Sequence, residues 1–213
     1  MSESFRLGAV LALTGGFLDA YTYLIRGGVF ANAQTGNIVL LCLSAAKGEW
    51  LRMLYYCIPI LAFFLGVLAT EAIKHHSTRT GFARWEHIVI LIELLLLLVI
   101  GFLPASVPNV IVNVTVSFIC SIQVNSFRKI HDISYASTMC TGNLRSAAEN
   151  FFLFAVEKDR GAGKRFGRYA LILLAFCLGA VLGALLTGWL GGRAVWFCCL
   201  VLATVLGGLL LRN

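Results

Sequence analysis

Long apolar stretches alternate with short polar ones along most of this chain. Six of them are long enough to cross about 30 Å of hydrocarbon as helices. They fall at residues 7–25, 54–73, 88–103, 110–127, 169–190 and 194–211. Charged residues gather between these stretches, as they do in membrane proteins that span the bilayer several times. The pattern therefore predicts an all-α membrane protein with six transmembrane helices.

A polar tripeptide with a central glycine occurs twice between apolar stretches. Residues 35–37, Thr-Gly-Asn within VFANAQTGN, return as residues 141–143 within YASTMCTGN. Each copy follows an apolar span and a short interruption, and each leads into a helix-like segment. Backbone groups freed by such a break need partners inside the protein or water, because lipid offers none. We therefore expect two broken, re-entrant segments.

The two copies also mark an internal repeat with an offset of 106 residues (141 − 35). At this offset Asp19 falls on Asn125. The next span of each half carries small residues four apart, a spacing that lets helix backbones approach closely. The chain therefore divides into two membrane repeats, 1–105 and 106–213, which together form one membrane domain. Each repeat comprises a span, a broken segment and two further spans.

Loop charge indicates how the repeats are oriented. If the broken segments do not cross, the 17 Lys and Arg residues divide 13 to 4 between the two sides of six spans. If they cross fully, eight spans result and the division is 9 to 7, with Arg145 set aside inside a segment. Positive residues concentrate on the cytoplasmic side, which favours six spans, cytoplasmic termini and repeats of opposite orientation. Eight spans would make the repeats parallel.

Composition narrows the function classes. The chain is 59% hydrophobic and 13% charged, against roughly a quarter charged in soluble domains, so little length remains for a soluble catalytic domain. No nucleophile, nucleotide or metal-binding motif occurs, and we expect neither an enzyme nor a cofactor. The net charge of +7 is assigned to basic cytoplasmic loops that contact anionic lipids rather than to nucleic acid.

The repeated tripeptides have the chemistry of a solute site. A helix N-terminus presents unpaired N–H groups and partial positive charge, which suit an anion or a small polar solute. Inverted repeats place such helix ends near the midplane. Asp19 lies deep in the first span, where an ionisable group usually faces a cavity or a partner. The candidate binding residues are Asp19, Tyr23, Gln34, Thr35, Gly36, Asn37, Gln123, Asn125, Thr141, Gly142 and Asn143.

Each of these features also has a structural interpretation. Thr35 and Thr141 could merely cap helices while the neighbouring asparagine amides tie the broken backbone to the rest of the protein. Asp19 could pair with Arg26 or accept hydrogen bonds from the broken segment, and so lock the fold. Glu93, within IVILIELLLLLV, has no acidic counterpart in the second half and carries little weight as a coupling group.

The first-half signature resembles that of a known family. Its parts are the runs 16–20 (GFLDA), 27–30 (GGVF) and 34–37 (QTGN). They are similar to the YoaK-like family of bacterial membrane proteins of unknown function, and the resemblance extends over nearly the full chain. It implies a location in the inner membrane and supplies no substrate.

These observations predict a transporter or channel for a small polar or anionic solute, bound near the midplane between two broken-helix N-termini. The alternative is a membrane scaffold or sensor that transports nothing, in which the tripeptides are structural. The small-residue faces could pack within one chain or between two, so a homodimer stays open.

Overall fold

The structure is a computed structural model that describes residues 5–80, 85–127, 129–130, 133–134 and 140–210. These residues are almost wholly helical, as the hydrophobic pattern predicts. One short antiparallel pair joins β1 (Lys129–Ile130) to β2 (Ile133–Ser134). The helices are α1 (Phe5–Ile25), α2 (Gln34–Ala46), α3 (Trp50–Thr80), α4 (Trp85–Phe102), α5 (Asn109–Ser126), α6 (Cys140–Val156), α7 (Arg160–Leu190) and α8 (Trp196–Leu210).

Five helical stretches of the described chain are long and apolar enough to cross a membrane. They are Leu7–Ile25, Trp50–Ser77, Trp85–Phe102, Asn109–Ser126 and Arg160–Gly208. The last comprises α7, a 3₁₀ helix at Gly191–Val195 and most of α8. The two last spans predicted from the sequence, 169–190 and 194–211, both fall on this stretch, so the count of six spans stays a prediction.

Helices α1 and α7 pack closely along their length and run in the same direction. Small residues make this approach feasible, because a Cβ on Gly179 would meet the backbone of Leu13. One turn further along both helices, a Cβ on Gly183 would meet the backbone of Phe17. Gly16 on α1 lies in the same way against the Phe176 carbonyl of α7. The small-residue face predicted for residues 169–190 is thus buried against another helix of the same chain.

Helices α3 and α5 form a second pair that also runs in one direction. Near the start of both helices, the Asn113 amide nitrogen lies 3.2 Å from the Tyr55 hydroxyl. Near their ends, the Asn125 amide nitrogen donates to Glu71 at 2.7 Å. Between these contacts, a Cβ on Gly66 would meet Ser121. The small-residue face predicted for 54–73 is therefore also used within the chain.

The shorter helices pack on these pairs. Helix α2 lies against α3, and α6 lies antiparallel against α7, with the rings of Phe151 and Phe166 5.2 Å apart. Helices α4 and α8 run antiparallel. The Trp196 indole N–H donates to the Leu98 carbonyl, and the Cys199 thiol lies 3.9 Å from the Leu94 carbonyl. The main hydrophobic core forms where α1, α4, α5 and α8 meet.

The α1–α7 contact gives a prediction for stability. Gly179→Leu should lower the free energy of unfolding by about 1–3 kcal/mol or more, because the new side chain must displace the backbone of α1. Unfolding in mixed micelles, followed by tryptophan fluorescence, measures this change. Gly188→Leu on the same helix is the matched control, since its Cβ would meet nothing within 4 Å. Equal stability of the two variants would contradict the assigned contact.

Candidate functional site

The chain breaks immediately after α1. Gly27 and Gly28 both have positive φ, 86° and 72°, a conformation that glycine adopts at little cost. The Gly28 N–H donates to the Tyr23 carbonyl at 3.2 Å, which closes the helix end. Residues 29–33 then follow in irregular conformation until α2 begins at Gln34. The first broken segment expected from the sequence is therefore present.

Side chains from several helices supply partners for the broken backbone. The Arg26 carbonyl accepts from the Tyr55 hydroxyl at 3.0 Å and from the Asn113 amide at 2.8 Å. The Ala31 carbonyl accepts from the Ser117 hydroxyl at 2.6 Å. It also accepts from the Gln34 amide at 2.8 Å. Polar residues in α3 and α5 thus provide what lipid cannot.

Asp19 takes part in the same arrangement. Its side chain is 6% exposed, and its Oδ1 accepts from the Asn32 backbone N–H at 3.0 Å. No salt bridge joins it to Arg26 among the described residues. Of the two structural interpretations of Asp19, the contact with the broken segment is the one observed.

Helices α2 and α6 begin at one shared cavity of about 810 Å³. Both tripeptides contribute to it, and Asp19 lies in its wall. The walls are otherwise mainly apolar, with Phe63 of α3 and Phe176 of α7 among them. A largely apolar cavity of this size with a few convergent polar groups is typical of small-molecule sites. We refer to it as the central cavity.

Seven predicted site residues line the central cavity. They are Asp19, Tyr23, Gln34, Thr35, Gly36, Thr141 and Gly142. Tyr23 is half exposed and stacks on Phe30 with ring centroids 4.7 Å apart. Neither threonine is the first residue of its helix, since α2 starts at Gln34 and α6 at Cys140. The residue that precedes α2 is Ala33, whose side chain forms no capping hydrogen bond.

The four other predicted site residues are buried outside the cavity lining. They are Asn37, Asn143, Gln123 and Asn125. The Asn37 amide nitrogen donates to the Phe30 carbonyl at 2.9 Å and to Gln34 Oε1 at 3.0 Å. Asn37 does not line the cavity, and its amide nitrogen ties the broken segment to the start of α2.

Gln123 and Asn125 connect helices. The Gln123 amide nitrogen donates to the Leu11 carbonyl of α1 at 3.0 Å. The Asn125 side-chain amide donates to Glu71, and the Asn125 backbone carbonyl accepts from Lys74 at 2.7 Å. Asp19 and Asn125, which correspond in the repeat, therefore have different partners. The segment that should match 29–33 includes residues 135–139, which lie outside the described residues, as do Arg128 and His131.

Asn32 is a cavity residue that the sequence analysis missed. It is 4% exposed, it lines the central cavity, and its Oδ1 has no hydrogen-bond partner among the described residues. It is the other asparagine of the motif VFANAQTGN, and the second copy, YASTMCTGN, has no asparagine at the matching position. Ala180 and Ala184 were also missed, since they lie beside the glycine face of α7 rather than on it.

Glu93 is fully buried, and neither carboxyl oxygen has a partner among the described residues. It lies on α4 near Cys198 of α8, and it does not line the central cavity. The structure thus places Glu93 apart from the tripeptides.

Comparison with known proteins now identifies the family. The model for "Protein of unknown function (DUF1275)" matches residues 7–208. The chain belongs to this family. The "UPF0700 transmembrane protein YoaK" of Bacillus subtilis (strain 168) is 28% identical over 182 residues, which cover 83% of this chain and 81% of that protein. No solved structure matches the chain.

The family assignment confirms the YoaK-like resemblance. A transmembrane relative and several long apolar helices together make this chain a multi-pass α-helical membrane protein of an uncharacterised family. The match to residues 7–208 includes both tripeptides, so the central cavity lies wholly within the shared region.

The bracing role of Asn37 gives a prediction. Asn37→Leu should lower the free energy of unfolding by about 1–3 kcal/mol, because the Phe30 carbonyl loses its buried donor. Thermal unfolding in detergent measures the difference. Thr35→Val, two residues away and exposed, is the control and should change stability by less than about 0.5 kcal/mol. An Asn37→Leu protein as stable as Thr35→Val would contradict the bracing role.

Proposed function

We propose that this protein is a membrane transporter or channel for a small polar or anionic solute. The observation that carries the proposal is the central cavity, on which the N-terminal ends of two separate helices open. Each end contributes partial positive charge and N–H donors. A packing device would need neither a cavity nor two converging helix starts.

The polar groups of the cavity restrict the solute. Asp19 and the Asn32 side-chain oxygen are acceptors, whereas the helix ends are donors. A neutral solute with both donors and acceptors would satisfy both kinds of group. An anionic solute would need a proton on Asp19, because two negative charges in a low-dielectric cavity repel strongly. Asp19 would then couple solute binding to proton binding.

Helix directions support six spans and an inverted repeat. The contact of Gln123 with Leu11, and that of Asn113 with the Arg26 carbonyl, make α1 and α5 antiparallel. The repeat matches α1 with α5 and α3 with α7. The parallel pair α1–α7 therefore corresponds to the parallel pair α5–α3. Helix α2 packs against α3, and the corresponding helix α6 packs against α7. Corresponding helices of opposite direction are what an inverted repeat requires.

Location follows from the same arrangement. With six spans, the loop charges give cytoplasmic termini, and the basic loops would contact anionic lipid. The membrane would be the cytoplasmic membrane of a bacterium, since the named relative comes from Bacillus subtilis. The halves 1–105 and 106–213 would act as one membrane domain with no cofactor and no nucleic-acid partner.

A scaffold or sensor that transports nothing is the second candidate. The observation in its favour is the position of Asn37, whose amide nitrogen donates to Phe30 in the broken segment and to Gln34 at the start of α2. If the protein is a scaffold or sensor, the central cavity would be an incidental gap between helices. Blocking the cavity separates the two candidates, since only a transporter loses function when its cavity is filled.

Thr35→Trp and Thr141→Trp place a large side chain at the cavity. Each should return solute permeation of proteoliposomes to the protein-free rate. Stopped-flow light scattering measures this rate, with glycerol and urea as neutral probes and with formate and nitrate as anionic probes. The matched control is Thr204→Trp, at an exposed position of α8 outside the cavity lining, which should keep the wild-type rate.

Two results would contradict the proposed transport function. If the wild-type protein speeds permeation but all three tryptophan variants retain that rate, the central cavity is not the pathway. If vesicles that contain the folded wild-type protein take up none of the four probes faster than protein-free vesicles, the protein is a scaffold or sensor and not a transporter.

A further inference from the structure

Arg26 is a buried cation that has no acidic partner among the residues that the structure describes. It follows α1 directly, and only 3% of its surface is exposed. Its Nη2 donates to the Tyr21 hydroxyl at 3.1 Å, and its Nε has no partner among the described residues. The salt bridges of the described chain all involve other residues. The backbone of Gly192 also lies close, since a Cβ there would be 3.3 Å from Arg26 Nη2.

A second cavity, of about 630 Å³, lies beside Arg26. The ends of α1, α4 and α7 and the start of α8 surround it. Arg193 also lines it and is exposed, whereas no Asp or Glu occurs among its described lining residues. Its walls include Phe102 and Trp196, whose rings meet edge to face at 4.9 Å. We refer to it as the arginine cavity.

The charges on this side of the protein make the arginine cavity unusual. In the six-span arrangement only Arg26, Lys47, Arg52 and Arg193 lie on this side. Two of these four line a single cavity, and Arg52 pairs instead with Glu49. Two cations that line one cavity repel each other, and no acidic residue among the described lining residues lies between them. A bound anion would therefore stabilise both.

The surroundings of Arg26 compensate its charge only in part. The Tyr21 ring lies 5.7 Å from the guanidinium carbon, within the range of a cation–π contact. Such a contact does not replace a counter-ion, because a buried cation that lacks one is strongly destabilising. A guanidinium forms paired hydrogen bonds with carboxylate or phosphate oxygens. The apolar walls would fit an attached apolar body.

We propose that the arginine cavity binds an oxyanion of phosphate type carried on an apolar body. Arg26 holds the oxyanion from within the protein, and Arg193 lies at the exposed edge. An anionic phospholipid headgroup and an organic phosphate in solution share this chemistry. The arginine cavity and the central cavity have no lining residue in common, so the proposal stands independently of the proposed transport function.

Calorimetric titration of the full-length protein in a neutral detergent tests the proposal. The probes are dihexanoyl phosphatidylglycerol, inorganic phosphate and the neutral lipid dihexanoylglycerol. The variants are Arg26→Gln and Arg193→Gln. The matched control is Arg52→Gln, on the same side but outside the cavity lining.

We expect phosphatidylglycerol to bind the wild-type protein and dihexanoylglycerol not to bind. Arg26→Gln should raise the Kd about tenfold or more, as loss of a charge-assisted hydrogen bond does. Arg193→Gln should raise the Kd about threefold, because an exposed charge is screened by solvent. Arg52→Gln should leave it unchanged. Since Arg193 is exposed, its variant keeps the test decisive even if Arg26→Gln does not fold.

The phosphate titration distinguishes the two sources. Binding of phosphatidylglycerol without binding of inorganic phosphate supports a lipid headgroup. Tighter binding of phosphatidylglycerol together with weaker binding of inorganic phosphate, both dependent on the two arginines, supports an organic phosphate in solution. The proposal is overturned if phosphatidylglycerol does not bind, or if dihexanoylglycerol binds as tightly as phosphatidylglycerol. It is also overturned if Arg193→Gln and every folded Arg26 variant keep the wild-type Kd.

Discussion

The need to satisfy the backbone hydrogen bonds of a largely buried chain break governs much of this structure. The chain leaves α1 at Gly27 and Gly28 and passes through residues 29–33 before α2 starts. In hydrocarbon each unpaired carbonyl or N–H would cost several kcal/mol. The protein meets this requirement with polar side chains placed in two of its apolar helices, α3 and α5. Tyr55 of α3 and Ser117 of α5, which look out of place in spans, donate to carbonyls of the break.

Because of this requirement, polar residues near the tripeptides have a structural role. Asn37 and Asp19 first of all fix the broken segment, through Phe30 and Asn32 respectively. Only Asp19 also lies in the wall of the central cavity. Asp19 thus combines a structural role with a place in the proposed binding site, whereas Asn37 has the structural role alone. A rigid break at the start of α2 is also what a binding site requires, since donors held in place need no reorganisation when a solute binds.

The sequence predicted the features that arise from local pattern. Hydrophobic length located the helices, and the repeated Thr-Gly-Asn located the starts of α2 and α6 within about one residue. It did not predict which tripeptide residues face the cavity, because this depends on the helix rotation set by tertiary packing. Thr35 lines the cavity, and Asn37, two residues further along the same helix, does not. Burial of Arg26 without a carboxylate also escaped prediction, since a sequence does not reveal a missing partner.

The central claim is that both broken segments start inside the membrane at one cavity that water can enter. Single cysteines at positions 35 and 141, in a protein without its seven native cysteines, test it by labelling with an impermeant thiol reagent applied to each side in turn. The account predicts that both positions react, and from the same side or sides, because they line one cavity. If either position stays unlabelled in the folded protein, or if each reacts only from its own side, the shared cavity is contradicted.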